Sequence, residues 1–225
     1  VTPWPDTSPH ASGPHPLPAQ TDPERARWNR RYASADRHAT PIPNQFLVAE
    51  VRGMAPGRAL DLACGAGRNA VWLAEQGWRV TAVDFSDVGL GLARDLARAR
   101  GVTVDWIEAD VVAWAPGSAA YDLVCVLYLQ LPAPDRRSVL RHAVDALAPG
   151  GTLLVVGHDL LNLTEGWGGP TQADVLYTPE DIAAELDGLR LEKAERVRRT
   201  VEDGGAPHEA IDALVRAHRP LALGG

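Results

Sequence analysis

The chemistry legible in this chain is carried by three aspartates and a glycine turn. The stretch Asp61-Leu62-Ala63-Cys64-Gly65-Ala66-Gly67-Arg68-Asn69 leads from a short apolar run into a helical one. Glycines at such a turn let backbone approach a ligand where a Cβ would collide, and the helix start presents free N–H groups. Asp84 stands at the end of the next apolar run and Asp110 at the end of the third. In an open parallel sheet, strand tips line the ligand crevice. A carboxylate only accepts hydrogen bonds, so Asp84 can take both hydroxyl protons of a ribose diol. The pattern points to an adenosine-type ligand.

Two ligand classes fit that pattern. Gly65-x-Gly67-x-x-Ala70 satisfies the dinucleotide fingerprint, which supports an NAD(P)-dependent oxidoreductase. Asp61 opposes it, because a carboxylate leading into the turn repels a pyrophosphate. A ligand bearing an ammonium group and a sulfonium cation tolerates or wants such a carboxylate. The acidic rim of Asp61, Asp84 and Asp110 therefore suits S-adenosylmethionine better than NAD. A non-catalytic protein that binds the adenosyl ligand as a regulator stays open beside both. Ordinary readings stand next to the functional ones. Asp61 could cap the following helix, Cys64 could simply be packed, Arg68 could be a solvated helix-start arginine, and Tyr128 could be core.

The elements that must position these residues follow a regular rhythm. Apolar runs at 59–63, 78–84, 102–110, 121–129 and 151–157 read as strands. Helical segments at 69–76, 86–100 and 134–146 alternate with them, two closed by Gly77 and Gly101. Alternation at this spacing predicts an α/β fold with a parallel sheet and right-handed crossovers. Its strands are continuously apolar, as strands covered on both faces are. Before the sheet come a helix from Pro23 through WNRRYA and a second over Asn44–Met54. After it, Thr178-Pro179-Glu180-Asp181 signs a helix start. The segment 189–201, the turn 202–207 and the segment 208–219 predict an antiparallel hairpin, although 208–219 could be helical on composition alone. The proline-rich stretch 1–21 cannot bury enough surface to offset its ordering entropy and is expected to be a disordered tail before a domain at 22–225. The long, glycine-rich loop 158–177 carries Trp167 and is expected to be a substrate lid.

Composition bounds the function. The chain has 225 residues, with 22 Lys+Arg against 29 Asp+Glu and a net charge of −7, so a nucleic-acid-binding face is not expected. The two cysteines make neither a disulfide framework nor a cysteine-rich zinc site, and no metal is expected. No apolar run reaches the ~18 residues of a membrane span, and no signal peptide is visible. The expectation is a cytoplasmic protein, monomeric or homodimeric, that acts on a small molecule.

The ordered set of motifs resembles the class I S-adenosylmethionine-dependent methyltransferases. DLACGAGRN (61–69) is similar to their first motif, with Ala63 where a glycine is usual. VTAVDFS (80–86), IEADV (107–111), YDLVCVLYLQLP (121–132) and LAPGGTLLVV (147–156) resemble the motifs that follow, in order. The WNRRY helix and the first two motifs look most like the small-molecule enzymes of the tellurite-resistance and thiopurine kind. The resemblance implies a Rossmann-like, doubly wound sheet of seven strands, mostly parallel, with the last strand antiparallel through the hairpin. It implies that Asp61, Ala63, Cys64, Gly65, Gly67 and Arg68 surround the methionyl part of S-adenosylmethionine. It also implies that Asp84 holds the ribose, with Phe85 and Ser86 beside it and Phe85 stacked on adenine. Asp110 and Val111 N–H would take the adenine edge, the carbonyl near Leu127 the ammonium, and Trp28 and Tyr32 would close as a lid. The product would be S-adenosyl-L-homocysteine.

Methyl transfer from a sulfonium is an in-line displacement, so the protein chiefly binds, orients and desolvates. A thiolate or metalloid oxyanion needs no base, whereas a phenol or amine does. His158, after the fifth strand, is the candidate base, and Tyr128, at the mouth of the fourth, is a candidate pocket residue. The sequence LYLQLP after the fourth strand lacks an Asn/Asp-Pro-Pro-aromatic motif, and no Pro-Cys pair exists. Methylation of nucleic-acid amines or of cytosine C5 is therefore not expected. Arg198, Arg199 and His208 flank the hairpin turn; they resemble basic residues that the tellurite-type relatives aim at the pocket, while solvated surface is the favoured reading.

Overall fold

The computed structural model describes residues 23–34 and 42–221, and the expected tail at 1–21 lies outside them. Two helices, α1 (Pro23–Ala33) and α2 (Gln45–Val51), precede the sheet. Asn44 caps α2 by accepting from the N–H groups of Phe46 and Leu47. Then β1 (Arg58–Leu62), α3 (Arg68–Glu75), β2 (Arg79–Asp84), α4 (Asp87–Arg100) and β3 (Asp105–Glu108) alternate. β4 (Tyr121–Leu127), α5 (Ala133–Ala146) and β5 (Leu147–His158) continue the pattern. Short helices α6 (Asn162–Glu165) and α7 (Pro179–Ala183) lead to β6 (Arg190–Asp203) and β7 (Ala206–His218).

The seven strands form one sheet in the order β3-β2-β1-β4-β5-β7-β6. β1 to β5 are parallel, and β7 runs antiparallel to both β5 and β6. The expected fold therefore forms, and 208–219 is resolved as a strand. Its composition is ambiguous; pairing on both sides, with β5 and β6, decides it. The order reverses between β1 and β4, which opens the crevice at their C-terminal tips.

Two expectations are adjusted. The third strand is shorter than 102–110, because Val102 N–H closes the end of α4 on the Ala97 carbonyl and the Asp110 carbonyl receives Ala113 and Trp114 N–H. The chain bends at both ends and only 105–108 pair. The loop 158–177 is not structureless, since it contains α6 and a 3-10 turn at Ala173–Val175.

Side chains alternate across the sheet and fill two cores. Leu60, Leu62, Val124, Val126, Leu153, Val155, Ala213 and Val215 pack with Val139 and Leu140 of α5 and Ile182 of α7. Ala59, Leu123, Cys125, Leu127, Leu154, Val156 and Leu214 pack with Leu47 of α2, Ala70 and Leu73 of α3 and Leu90 of α4. By the same alternation Asp61, His158 and Asp212 belong to the second face. Among the described residues, no helix is long and apolar enough to cross a membrane.

Candidate active site

The turn after β1 is built from left-handed backbone. Ala63, Gly65 and Gly67 have φ of 59°, 57° and 78°. Gly67 is the N-cap of α3, and a Cβ there would lie 2.6 Å from the Ala93 Cβ and 2.8 Å from the Trp106 ring. Glycine is required at that point by packing as well as by φ. Ala63 departs from the usual glycine by more than a methyl group. It holds a left-handed conformation that costs an alanine roughly 1 kcal/mol.

Two buried carboxylates face this turn. Asp84 is 3% exposed and accepts from Gly65 N–H and Ser86 N–H, both at 2.8 Å. Burial pushes its pKa up to about 6 against these hydrogen bonds. Asp61 is 1% exposed. Burial first, and then the charge of Asp84, pushes its pKa up to about 7, while Arg68 and the Ala70 N–H pull the other way. The helix-capping reading of Asp61 is therefore real, because it receives the Ala70 N–H at the third residue of α3. Yet its Oδ2 is buried with no hydrogen-bond partner among the described residues. A native protein rarely leaves such an atom unmatched. An orphaned carboxylate oxygen beside a glycine turn fits an ammonium-bearing ligand and repels a diphosphate. Cys64 is buried, and burial followed by the charges of Asp84 and Asp61 holds its thiol well above its ordinary value, so it is no nucleophile. Arg68 is exposed on the rim.

α1 lies across the cradle. The Tyr32 ring is the nearest neighbour of both Gly65 and Gly89, and a Cβ at Gly65 would collide with its hydroxyl. Trp28 packs on Tyr32 with ring centroids 5.7 Å apart. Arg25 pairs with Glu108 at the tip of β3 and with Asp87. Ser86 donates to Asn29 at 2.6 Å while capping Gly89 N–H at 2.9 Å. Ser86 thus serves as helix cap and strap anchor. Phe85 is half-buried beside it and Val111 is buried. Asp110 Oδ1 receives Val112 N–H at 2.9 Å and shapes its own turn.

The second half of the crevice is polar in a different way. Leu127 ends β4 and is buried, and Tyr128 follows with φ of 57°. Tyr128 donates to Asp212 Oδ2 at 2.6 Å, and Arg199 Nε donates to the same oxygen at 2.7 Å. His158 Nδ1 lies 3.3 Å from Asp212 Oδ1, within ion-pair reach but off line for a hydrogen bond. The His158 backbone N–H donates to Gln130 at 3.0 Å. Asp212 is fully buried in β7, directly opposite His158 of β5. Burial pushes its carboxyl up, but His158, the Tyr128 hydroxyl and Arg199 outweigh that and hold it below its ordinary value. Burial and then the Asp212 charge push the Tyr128 phenol far above its usual range.

The loop 158–177 packs on this cluster. A Cβ on Gly169 would sit 2.9 Å from the His158 ring. Trp167 stacks on His208 with centroids 3.9 Å apart and planes at 10°. Asn162 fastens the loop by accepting Ile211 N–H at 2.7 Å and donating to the Gly168 carbonyl at 2.7 Å.

The structure thus gathers Asp61, Ala63, Gly65, Gly67, Asp84 and Tyr32 at one end, and Tyr128 and His158 at the other. It also changes one assignment. Arg199, read as solvated surface, turns inward to Asp212 with its side chain 23% exposed, whereas Arg198 stays outside on Glu209. Three residues escaped the sequence reading: Asp212, Asn69 and Asn44. Asn69 accepts the Asn44 N–H at 2.9 Å and joins α3 to α2. The signal for Asp212 was a lone acid inside the run Ala210–Val215, which is buried throughout.

Residues 59–151 match the family described as "Methyltransferase domain". A demethylmenaquinone methyltransferase of Thermus thermophilus is 38% identical over 104 residues, 45% of this chain and 47% of that relative. The chain thus aligns with about half the length of the curated relatives it matches. Among solved structures, the N-methyltransferase NodS of Bradyrhizobium japonicum, in complex with S-adenosyl-l-homocysteine, has a TM-score of 0.67 at 21% identity, covering 88% of this chain and all (100%) of that one. TehB of Haemophilus influenzae has a TM-score of 0.66 at 17% identity, covering 85% of this chain and 67% of that one. At these identities the structures speak for the fold alone. Over residues 59–151 the chain is thus similar to a methyltransferase domain, and its fold is that of these solved methyltransferases.

Proposed function

We propose that this chain transfers a methyl group from S-adenosylmethionine to a nucleophilic atom of a small molecule. One observation carries the reading: the buried Asp61 Oδ2, unpartnered beside a glycine turn and next to a second buried carboxylate. A positively charged ligand relieves both the orphaned oxygen and the repulsion between Asp61 and Asp84. A diphosphate worsens them, which speaks against the dinucleotide alternative.

When bound, S-adenosylmethionine supplies an activated methyl carbon. The chain's own residues do the rest. Asp61 and the carbonyl of Leu127 receive the ammonium end, and Arg68 stands on the rim for the carboxylate. Asp84 and its neighbours Phe85 and Ser86 meet the ribose and adenine, with Asp110 and Val111 at the far edge. Trp28 and Tyr32 on α1 exclude water. His158 and Tyr128 face the acceptor. Kinship with the tellurite-resistance and thiopurine enzymes rests on the Trp28–Tyr32 helix and belongs to this proposal.

A thermal-shift series with S-adenosylmethionine, S-adenosyl-L-homocysteine, NAD and NADP tests it, since a ligand that binds only the native state raises the melting point. The first two should stabilise the protein and the last two should not. Stabilisation by NAD alone would end the proposal. Asp61→Asn should weaken S-adenosylmethionine binding by about tenfold or more, the loss of one charge-assisted hydrogen bond.

A further inference from the structure

The acceptor half contains a feature that methyl transfer to a pre-ionised atom does not need. Asp212 is fully buried, and its two oxygens are used differently. Oδ2 takes the Tyr128 hydroxyl and Arg199 Nε. Oδ1 faces His158 Nδ1 at 3.3 Å, and each of these two atoms is buried without another hydrogen-bond partner. A small rotation of the imidazole brings the pair into line, with the proton on Nδ1, because the carboxylate can only accept. Catalytic hydrogen bonds are commonly slack until substrate binds. Nε2, which engages no partner among the described residues, is then left with its lone pair.

We propose that Asp212 is the positioning residue that holds His158 as proton acceptor, and that the substrate class is therefore an O–H or N–H nucleophile, a phenol, hydroxyl or amine. This rests on the proposed methyl transfer. His158 and Asp61 share one face of the sheet, two strands apart across β4, and His158 lies four residues beyond Leu154, which is level with Asp61 through Cys125; at ordinary strand spacing and rise that is roughly 16 Å. That is room for a methyl donor held at one end and an acceptor at the other. In the step, the nucleophile's electron pair forms the bond to the methyl carbon and the carbon–sulfur pair returns to sulfur. The proton passes to His158 Nε2, and Asp212 stabilises the imidazolium. Arg199 pairs with Asp212 at 2.7 Å and balances its charge. A thiolate or metalloid oxyanion has no proton to give and makes no use of this arrangement. The titratable groups placed against His158 are Asp212 on β7 at 3.3 Å and the Tyr128 ring after β4 at 5.0 Å; Arg199 on β6 pairs with Asp212, the neighbouring Asp159 pairs with Arg196, and Tyr177 bridges to Asp159 at the far end of the covering loop.

The test uses the full chain. Nitrogen NMR reads the tautomer of His158, and labelled S-adenosylmethionine is offered with phenols, amines, thiols and tellurite. Calorimetry follows cofactor affinity in parallel. Neutral His158 should be the Nδ1–H tautomer, and turnover should be confined to phenols or amines. The pH–rate profile should show a limb that His158→Gln removes and Asp212→Asn moves to lower pH. Asp212→Asn should lower kcat by roughly 10–100-fold, the scale of a general base lost in part. KM and cofactor affinity should hold. An Nε2–H tautomer in the wild-type chain overturns the inference without any variant. So does an unmoved limb in Asp212→Asn, or turnover of thiols or tellurite alone, or of nothing while the cofactor binds. Failure of the wild-type chain to bind the cofactor instead strikes the proposed function, and the tautomer still judges the Asp212–His158 pair.

Discussion

Asp61 and Asp212 are the same residue on the same face of one sheet, both cut off from water, and they exist in opposite electrostatic states. Asp61 has one N–H donor, a second acid nearby and an empty oxygen, and its pKa rises to about 7. Asp212 has a phenol, a guanidinium and an imidazole around it, and its carboxyl falls below its ordinary value. Burial alone does not determine what an acid becomes; the donors supplied to it do. Under the proposed function, the β1–β2 end of the crevice is the one that positive charge from a ligand balances. The β5–β7 end is already balanced and can only exchange protons.

Removing each acid should therefore move stability in opposite directions. Asp212→Ala leaves Arg199 and Tyr128 facing a void and should cost about 3–5 kcal/mol in urea unfolding, the usual price of an uncompensated buried partner. A loss below ~1 kcal/mol would show that solvent reaches this cluster freely. Asp61→Asn should instead stabilise the ligand-free chain at pH 8 by about 2 kcal/mol, allowing for the repulsion it shares with Asp84. The direction comes from linkage. Asp61 and Asp84 have folded pKa values of about 7 and about 6, above the ordinary carboxylate value of 3.8, so the native state holds protons longer. The stability they contribute is complete below the unfolded value and is lost as pH rises through the folded values. Melting points of the wild-type chain should fall between pH 5 and pH 8, and Asp61→Asn should flatten that slope. An unchanged slope would mean that Asp61 is ionised and already compensated. The smallest effect is expected at the covering loop. Trp167→Ala removes a half-exposed stack on His208 and should cost about 1 kcal/mol or less, with cofactor affinity unchanged. A large loss of cofactor affinity would place the loop at the cradle rather than at the acceptor.

The two ends also differ in how far the sequence disclosed them. The cradle is local: Asp61, the glycine turn and Asp84 fall within one strand–helix–strand unit, where spacing along the chain nearly fixes spacing in space. The acceptor end joins Tyr128, His158, Arg199 and Asp212 from four strands, and its geometry depends on the register of β7 against β5 and β6. Nothing in the run around Asp212 sets that register. Arg199 illustrates the same gap. Read along a charged strand it belongs to solvent, and only the neighbouring buried acid turns it inward. Ala63 was legible as a residue but not as a conformation, since its φ follows from the turn that Gly65 and Gly67 impose.

β7 lies between β5 and β6, although it is the last of the three to be made. Its place in the sheet stays open until β7 itself is made, and the partner of His158 arrives with it. A ribosome-bound chain that has emerged only as far as β5 already holds the elements of the cradle while lacking the means to accept a proton. If the proposed roles hold, competence to act comes later in synthesis than the parts needed to hold a cofactor.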